Sequence, residues 1–214
     1  MQILSKKFIS IIFLLILFIS TSLAEAVNVE NIATFLGNNR WKWTIFIAEE
    51  ESILNQIEYV EYTLHPTFPN PQQRIYEPNT NFSYTAIGWD TFTIRGKVFY
   101  KNNRFEEFEH TLVFNKRKAP PDMNITTQNW SHEIEPGWWE WGVSVIADEH
   151  ILNQISCVVY TLHKSFPNPV RIICNRENNF ELKTRGWGTF QIPIKILFKD
   201  GSVMELSHDL KFRE

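Results

Sequence analysis

Apolar and polar side chains alternate with a period of two through most of this chain. From Ile57 to Leu64 the alternation puts Val60, Tyr62 and Leu64 on one face and Tyr59, Glu61 and Thr63 on the other. That pattern predicts a strand whose core face is the first set, since Glu61 marks the second as the wetter one. Phe92, Ile94, Gly96, Val98 and Tyr100 keep the same period up to Lys101-Asn102-Asn103, which reads as a turn. Arg40 to Ile47 is dense in aromatic and β-branched residues and predicts another strand. Phe82 and Tyr84 begin a shorter one, and Phe108 to Phe114 closes the set. No stretch among them sustains a 3.6-residue period, so helices are not expected.

The design recurs at an offset of 98 residues without a gap, and between 53–70 and 151–168 thirteen of eighteen positions are identical. The offset also aligns Trp41 with Trp139, Trp43 with Trp141, Gly88-Trp89 with Gly186-Trp187, Phe92 with Phe190 and His110 with His208. The chain is a tandem duplication. Short strands, proline-rich connections and an absence of helical pattern predict an all-β fold with one β-sandwich in each module. The expected boundaries are a hydrophobic segment at 1–26, a lead segment at 27–39, a first module at 40–115, a linker at 116–137 and a second module at 138–214.

The N-terminal segment carries Lys6-Lys7, an apolar run from Phe8 to Leu23 and then Ala24-Glu25-Ala26. A basic start, a short apolar core and a small-x-small site predict a secretory signal peptide. Cleavage would make the protein secreted or periplasmic. A retained segment would instead anchor it to a membrane with both modules outside the cytoplasm.

Composition removes several classes of function. The net charge is −3, with 21 Lys and Arg against 24 Asp and Glu, and the basic residues form no stripe, so nucleic acid is not an expected partner. The triplet Lys116-Arg117-Lys118 is too short for such a footprint and reads as solvated surface. The histidines have no companion ligands at metal spacing, and Ser165 has no nucleophile elbow or ordered acid. No catalytic residue, metal site or cofactor is expected, and the chain reads as a non-enzyme. The two cysteines, Cys157 and Cys174, align with Tyr59 and Tyr76. Paired replacement implies neighbouring positions, leaving either a disulfide or two buried thiols.

What remains is a recognition geometry. His65 to Pro71 contains three prolines and cannot be sheet interior, so it and its copy His163 to Pro169 are stiff loops at strand ends. Phe166 sits in one loop and Trp187, between Gly186 and Gly188, in another. Two such aromatics could wall a slot for a flat group, with Ser165 or His163 at its edge.

These loops carry a resemblance. Leu162-His163-Lys164-Ser165-Phe166-Pro167-Asn168-Pro169, Gly186-Trp187-Gly188-Thr189-Phe190 and Leu206-Ser207-His208-Asp209-Leu210 are similar to the YEATS domain family, and the tandem arrangement resembles its prokaryotic members. The first module resembles it through Leu64 to Pro71, Gly88-Trp89-Asp90-Thr91-Phe92 and His110-Thr111-Leu112. The resemblance implies an immunoglobulin-like β-sandwich whose loops bind acylated lysine without catalysis. Carried over by residue, it implies Phe166 and Trp187 as walls, Ser165 as amide partner, His163 as support and Gly188 as a backbone contact. The first-module matches are His65, Thr67, Phe68 and Trp89, with Asp90 in place of the glycine and Ile87 in place of Arg185 at the approach. The implied partner is a protein or peptide acylated on lysine. The rival reading is a structural or adhesive tandem sandwich whose loop aromatics only pack the loops, and exposure of Trp187 separates the two.

Overall fold

The computed structural model describes residues 26–119 and 123–212; the expected signal peptide or anchor lies, but for Ala26, outside them. The first module comprises β1 (Val29–Gly37), β2 (Arg40–Ile47), a one-turn helix α1 (Glu51–Leu54), β3 (Ile57–Thr63), β4 (Gln72–Ile75), β5 (Tyr84–Gly88), β6 (Thr93–Tyr100) and β7 (Phe105–Thr111). Its strands form two antiparallel sheets in the orders β1-β2-β5 and β4-β3-β6-β7. The second module repeats this with β8 (Thr126–Glu135), β9 (Trp138–Ile146), α2 (Glu149–Leu152), β10 (Ile155–Thr161), β11 (Val170–Ile173), β12 (Leu182–Gly186), β13 (Gln191–Phe198) and β14 (Val203–Asp209). Its sheets are β8-β9-β12 and β11-β10-β13-β14. The described residues are all-β apart from single helical turns, which were not expected.

Each sandwich closes over its own aromatic core. Trp43, Ile45 and Ile47 on β2 meet Val60 and Tyr62 on β3 and Ile94 and Val98 on β6. Trp141, Val143 and Val145 meet Val158, Tyr160, Ile194 and Ile196 in the same way. The expected core face of β3, Val60, Tyr62 and Leu64, is buried. Ile57 joins it because the ladder slips between Ile57 and Tyr59, and that bulge reverses the parity of the strand's first residue. The two fully buried tyrosines donate their hydroxyls across the sandwiches, Tyr62 to the Phe82 carbonyl and Tyr160 to that of Phe180, both at 2.8 Å.

Two segments outside the expected modules contain strands. The lead segment 27–39 contains β1, and the linker 116–137 contains β8. Each is the outer strand of a three-stranded sheet and hides its role behind polar residues with dedicated partners. Asn31, fully buried, donates its amide to the Val113 carbonyl at 3.0 Å and accepts from the Val113 N–H at 3.0 Å and from His110 Nε2 at 2.9 Å. Asn129 does the same work on β8, against His208 Nε2 at 3.0 Å and the Lys211 backbone. The basic triplet is also more engaged than a solvated surface would be. Lys116 is nearly buried in a salt bridge with Glu30, Arg117 pairs with Asp200, and Lys118 bridges Val203 in parallel.

The modules stack. The outer face of β1 and β2, with Ile32, Phe46 and Ala48, packs on the outer face of the β11-β10-β13-β14 sheet, with Val159, Ile172, Leu197 and the two cysteines. This explains why β10 is buried on both faces while β3 is buried on one. Cys157 and Cys174 form a disulfide within this seam. Their counterparts Tyr59 and Tyr76 pack ring to ring at 5.4 Å on the uncovered face of the first module, with Arg74 over Tyr59 at 4.6 Å. The starting ends of β1 and β10 meet at the seam, where Asn81 Nδ2 reaches Cys174 Sγ at 3.8 Å and one cavity is lined by Val27, Asn28, Asn153 and Arg176. In each module the proline loop follows the far end of the matching strand, Thr63 of β3 and Thr161 of β10.

Candidate functional site

The proline loop of the second module is held at both ends by the backbone. The Leu162 N–H bonds to the Pro169 carbonyl at 2.8 Å, and the Phe166 N–H to the His163 carbonyl at 3.0 Å. Within it the Ser165 N–H points at His163 Nδ1 at 3.3 Å, and the Ser165 hydroxyl lies 2.8 Å from the same nitrogen. A nitrogen approached by a backbone N–H is an acceptor, so the hydroxyl also donates to it. The proton of Ser165 is thereby occupied and its lone pairs remain to accept. The site thus offers an acceptor, suited to an amide N–H.

The loop after β12 faces it. Phe166 rests edge-on to Trp141 at 6.2 Å and against Phe190 at 5.7 Å, so it is fixed to the core. Trp187 is 68% exposed, and no other ring touches it among the described residues. Between them is an open slot of about 420 Å³ with Trp138, His163, Ser165, Arg185, Gly186, Gly188 and Phe190 also in its lining. Gly186 forms part of its floor. Gly188 adopts φ +75°, a left-handed conformation that suits glycine. No hydrogen bond within the described residues occupies the N–H of Trp187 or Gly188, so the slot also offers donors for a carbonyl oxygen.

The first module builds a smaller version, about 220 Å³, lined by His65, Thr67, Phe68, Gly88, Trp89, Asp90, Thr91 and Phe92. Thr67 Oγ1 lies 2.9 Å from His65 Nδ1, as Ser165 does from His163. Trp89 is 67% exposed. Asp90 replaces Gly188 and spends one carboxylate oxygen on the Thr91 N–H at 2.8 Å.

All nine expected site residues therefore line two slots. Trp138 was missed. It enters the second slot from the start of β9, and no local pattern marks it. Beneath each floor an indole lies edge-on to two phenyl rings, Trp43 to Phe68 and Phe92 and Trp141 to Phe166 and Phe190. The Nε1 of Trp43 and of Trp141 is buried without a hydrogen-bond partner. His110 and His208 lie away from the slots, as pins between the sheets. Among the described residues no group of three or more His, Cys, Asp or Glu side chains could hold a metal ion.

Comparison with known proteins agrees with the two-module architecture. The family model described as the prokaryotic YEATS domain matches twice, at residues 41–113 and 139–211. The Protein AF-9 homolog of Saccharomyces cerevisiae is 37% identical over 124 residues, covering 52% of this chain and 51% of that protein. The Kluyveromyces lactis protein of the same name is 50% identical over 54 residues, 25% of this chain and 24% of its own length. The chain spans about half or less of the length of these relatives. A solved structure of the Yaf9 YEATS domain is 27% identical, covering 45% of this chain and 81% of that one at a TM-score of 0.35. Another, of that domain bound to H3K27ac, is 26% identical at the same TM-score, covering 45% and 80%.

Proposed function

This chain belongs to the prokaryotic YEATS domain family, and on that premise we propose that it is a non-catalytic reader whose two slots bind acylated lysine on a protein or peptide. The observation that carries the reading is the free-standing Trp187, 68% exposed opposite a fixed Phe166 across an open slot. A loop aromatic that only packed its loop would be covered, and Trp89 at 67% is as bare as its copy. A flat acyl-amide fits such walls by stacking. Its N–H would bond to the Ser165 hydroxyl and its carbonyl to the backbone after Gly186. An acetylated peptide is also what the related Yaf9 domain is described as binding.

The reading includes a setting outside the cytoplasm. It is supported by the signal-like pattern of residues 1–26 and by the Cys157–Cys174 disulfide, a bond that persists in oxidising compartments. The ligand is then an acylated protein or peptide of that space. Two slots on one chain favour a partner with two modified lysines, because the second contact becomes intramolecular.

The test is a titration of the protein with acetyl-lysine and longer-acyl peptides, followed by tryptophan fluorescence or chemical shifts, beside folded Trp187→Ala and Trp89→Ala variants. Saturable binding lost selectively in one variant is expected and assigns the working slot. A lack of binding to every acylated peptide, with Trp187 protected from aqueous quenchers, would leave the scaffold reading instead.

A further inference from the structure

The two slots are alike in walls and floor but not in charge. Among the residues lining the second slot one is formally charged, Arg185. Among those lining the first one is formally charged, Asp90. We infer that the slots sort ligands by charge: the second prefers an acyl-lysine with a carboxylate within reach of Arg185, and the first disfavours the same ligand. This inference rests on the acyl-lysine reading of the slots.

Arg185 is placed for the task by its neighbours. Its Nε and Nη2 lie 3.1 Å from Glu140 Oε1 on the adjacent strand β9. That contact steers the side chain to the lip and uses only part of its donor fork, while 64% of the side chain stays exposed. Glu140 does not cancel the lip's charge, because Lys183 Nζ also approaches it at 3.4 Å, so two cations face one carboxylate. His132 Nε2 is 3.5 Å from the same carboxylate. The Arg185 hydrogen bond, with Lys183 beside it, holds the Glu140 carboxyl below the usual carboxylate range and so keeps the cluster ionised. In the first module Ile87 stands in place of Arg185 and is exposed without charge. Lys42 and Thr85 stand in place of Glu140 and Lys183; Lys42 lies across from Ile87 but is not among the residues that line the slot, while Asp90 lines it where Gly188 offers only backbone.

The chemistry recognised is a flat amide with a carboxylate nearby. The carboxylate has two sources, the end of a dicarboxylic acyl group such as succinyl or an acidic side chain next to an acetylated lysine. A guanidinium–carboxylate contact at a half-exposed lip supplies on the order of tenfold in affinity.

The experiment titrates the full chain, as Trp89→Ala to silence the first slot and as Trp187→Ala to silence the second. Three peptides of one neutral sequence are used: acetyl-lysine, succinyl-lysine, and acetyl-lysine beside glutamate. With the second slot alone, one or both acidic peptides should bind about tenfold tighter than the neutral one, and whichever does so identifies the source of the carboxylate. Adding Arg185→Ile should abolish that preference, so that the acidic peptides bind no tighter than the neutral one, and raising salt should narrow it where Arg185 is kept. With the first slot alone the order should reverse, and Asp90→Gly should relax it. Binding of all three peptides with a ratio that Arg185→Ile does not change overturns charge sorting alone. Failure of all three to bind either slot overturns the acyl-lysine reading and this inference together.

Discussion

The ring of Phe166 occupies the place where a side chain on Gly186 would go: an ideal Cβ there would lie 2.9 Å from Phe166 Cζ. The equivalent Cβ on Gly88 meets Trp43 Nε1 at 3.2 Å and no atom of Phe68. The same Gly→Ala change therefore acts differently in the two modules. Gly186→Ala moves the wall of its slot, because the far end of a phenyl ring yields before backbone does. Peptide binding at the second slot should fall about tenfold or more, with a small change in melting temperature. Gly88→Ala instead presses on the fixed Trp43 and should cost about 1 to 3 kcal/mol of stability, as overpacking does. Denaturant melts and titrations of the two variants check the contrast. Equal effects would mean that Phe166 is not set by Gly186.

Phe46 and Ser144 are counterparts in the duplication and both are buried, but only Phe46 belongs to the apolar cluster of the seam. Phe46→Ala should therefore destabilise the protein by about 3 kcal/mol, the usual cost of emptying a large aromatic site. Ser144→Ala removes a single oxygen and leaves no large cavity, so it should change stability by about 1 kcal/mol or less. Urea titrations measure both. In the Phe46→Ala protein a ligand with two acyl-lysines should also lose its advantage over two separate ones, because that advantage depends on fixed slots.

The disulfide joins cysteines 17 residues apart in sequence, and closing a loop of that size stabilises a fold by about 3 kcal/mol in the chain-entropy account. A Cys157→Ser, Cys174→Ser double variant should be less stable by about 2 to 4 kcal/mol, with the loss confined to the second module and the seam. Hydrogen exchange resolves the location. Equal deprotection of the first module's core would show that the two sandwiches unfold as one unit.

The sandwich was legible wherever a single hydrophobic interface decides burial. Val60, Tyr62 and Leu64 alternate against one core, and so the core face of β3 follows from period alone. The slot walls were legible because proline fixes the loop of Phe166 and glycines flank Trp187. β1 and β8 escaped because polar positions such as Asn31 and Asn129 are satisfied by partners about 80 residues away, as His110 and His208 show. The seam escaped for a related reason. Ile32 and Phe46 point away from their own core, and their cover is another module. Trp138 joins a slot whose other residues lie downstream in sequence, a placement that only tertiary packing makes.

His110 and His208 predict how stability depends on pH. Burial lowers the pKa of both below the ordinary histidine value. For His208 the reason is visible in its bonds: Nε2 donates to Asn129 Oδ1 at 3.0 Å and Nδ1 accepts the Thr127 hydroxyl at 2.9 Å. The neutral ring is thus satisfied on both sides, and a proton on Nδ1 would displace the Thr127 bond. In the unfolded chain both histidines take up a proton near pH 6.5. As pH falls through that value the unfolded state binds protons that the folded state refuses, so stability is complete above about pH 6.5 and declines toward the lower folded pKa. The depressed carboxyls of Glu140 and Asp200 act in a separate, more acidic window. Thermal melts from pH 8 to 5 should therefore show a loss beginning near 6.5. His208→Gln should lower the melting temperature at pH 8 and reduce the slope between 6.5 and 5. A slope that is unchanged in His208→Gln and in His110→Gln would assign the acid sensitivity to other groups.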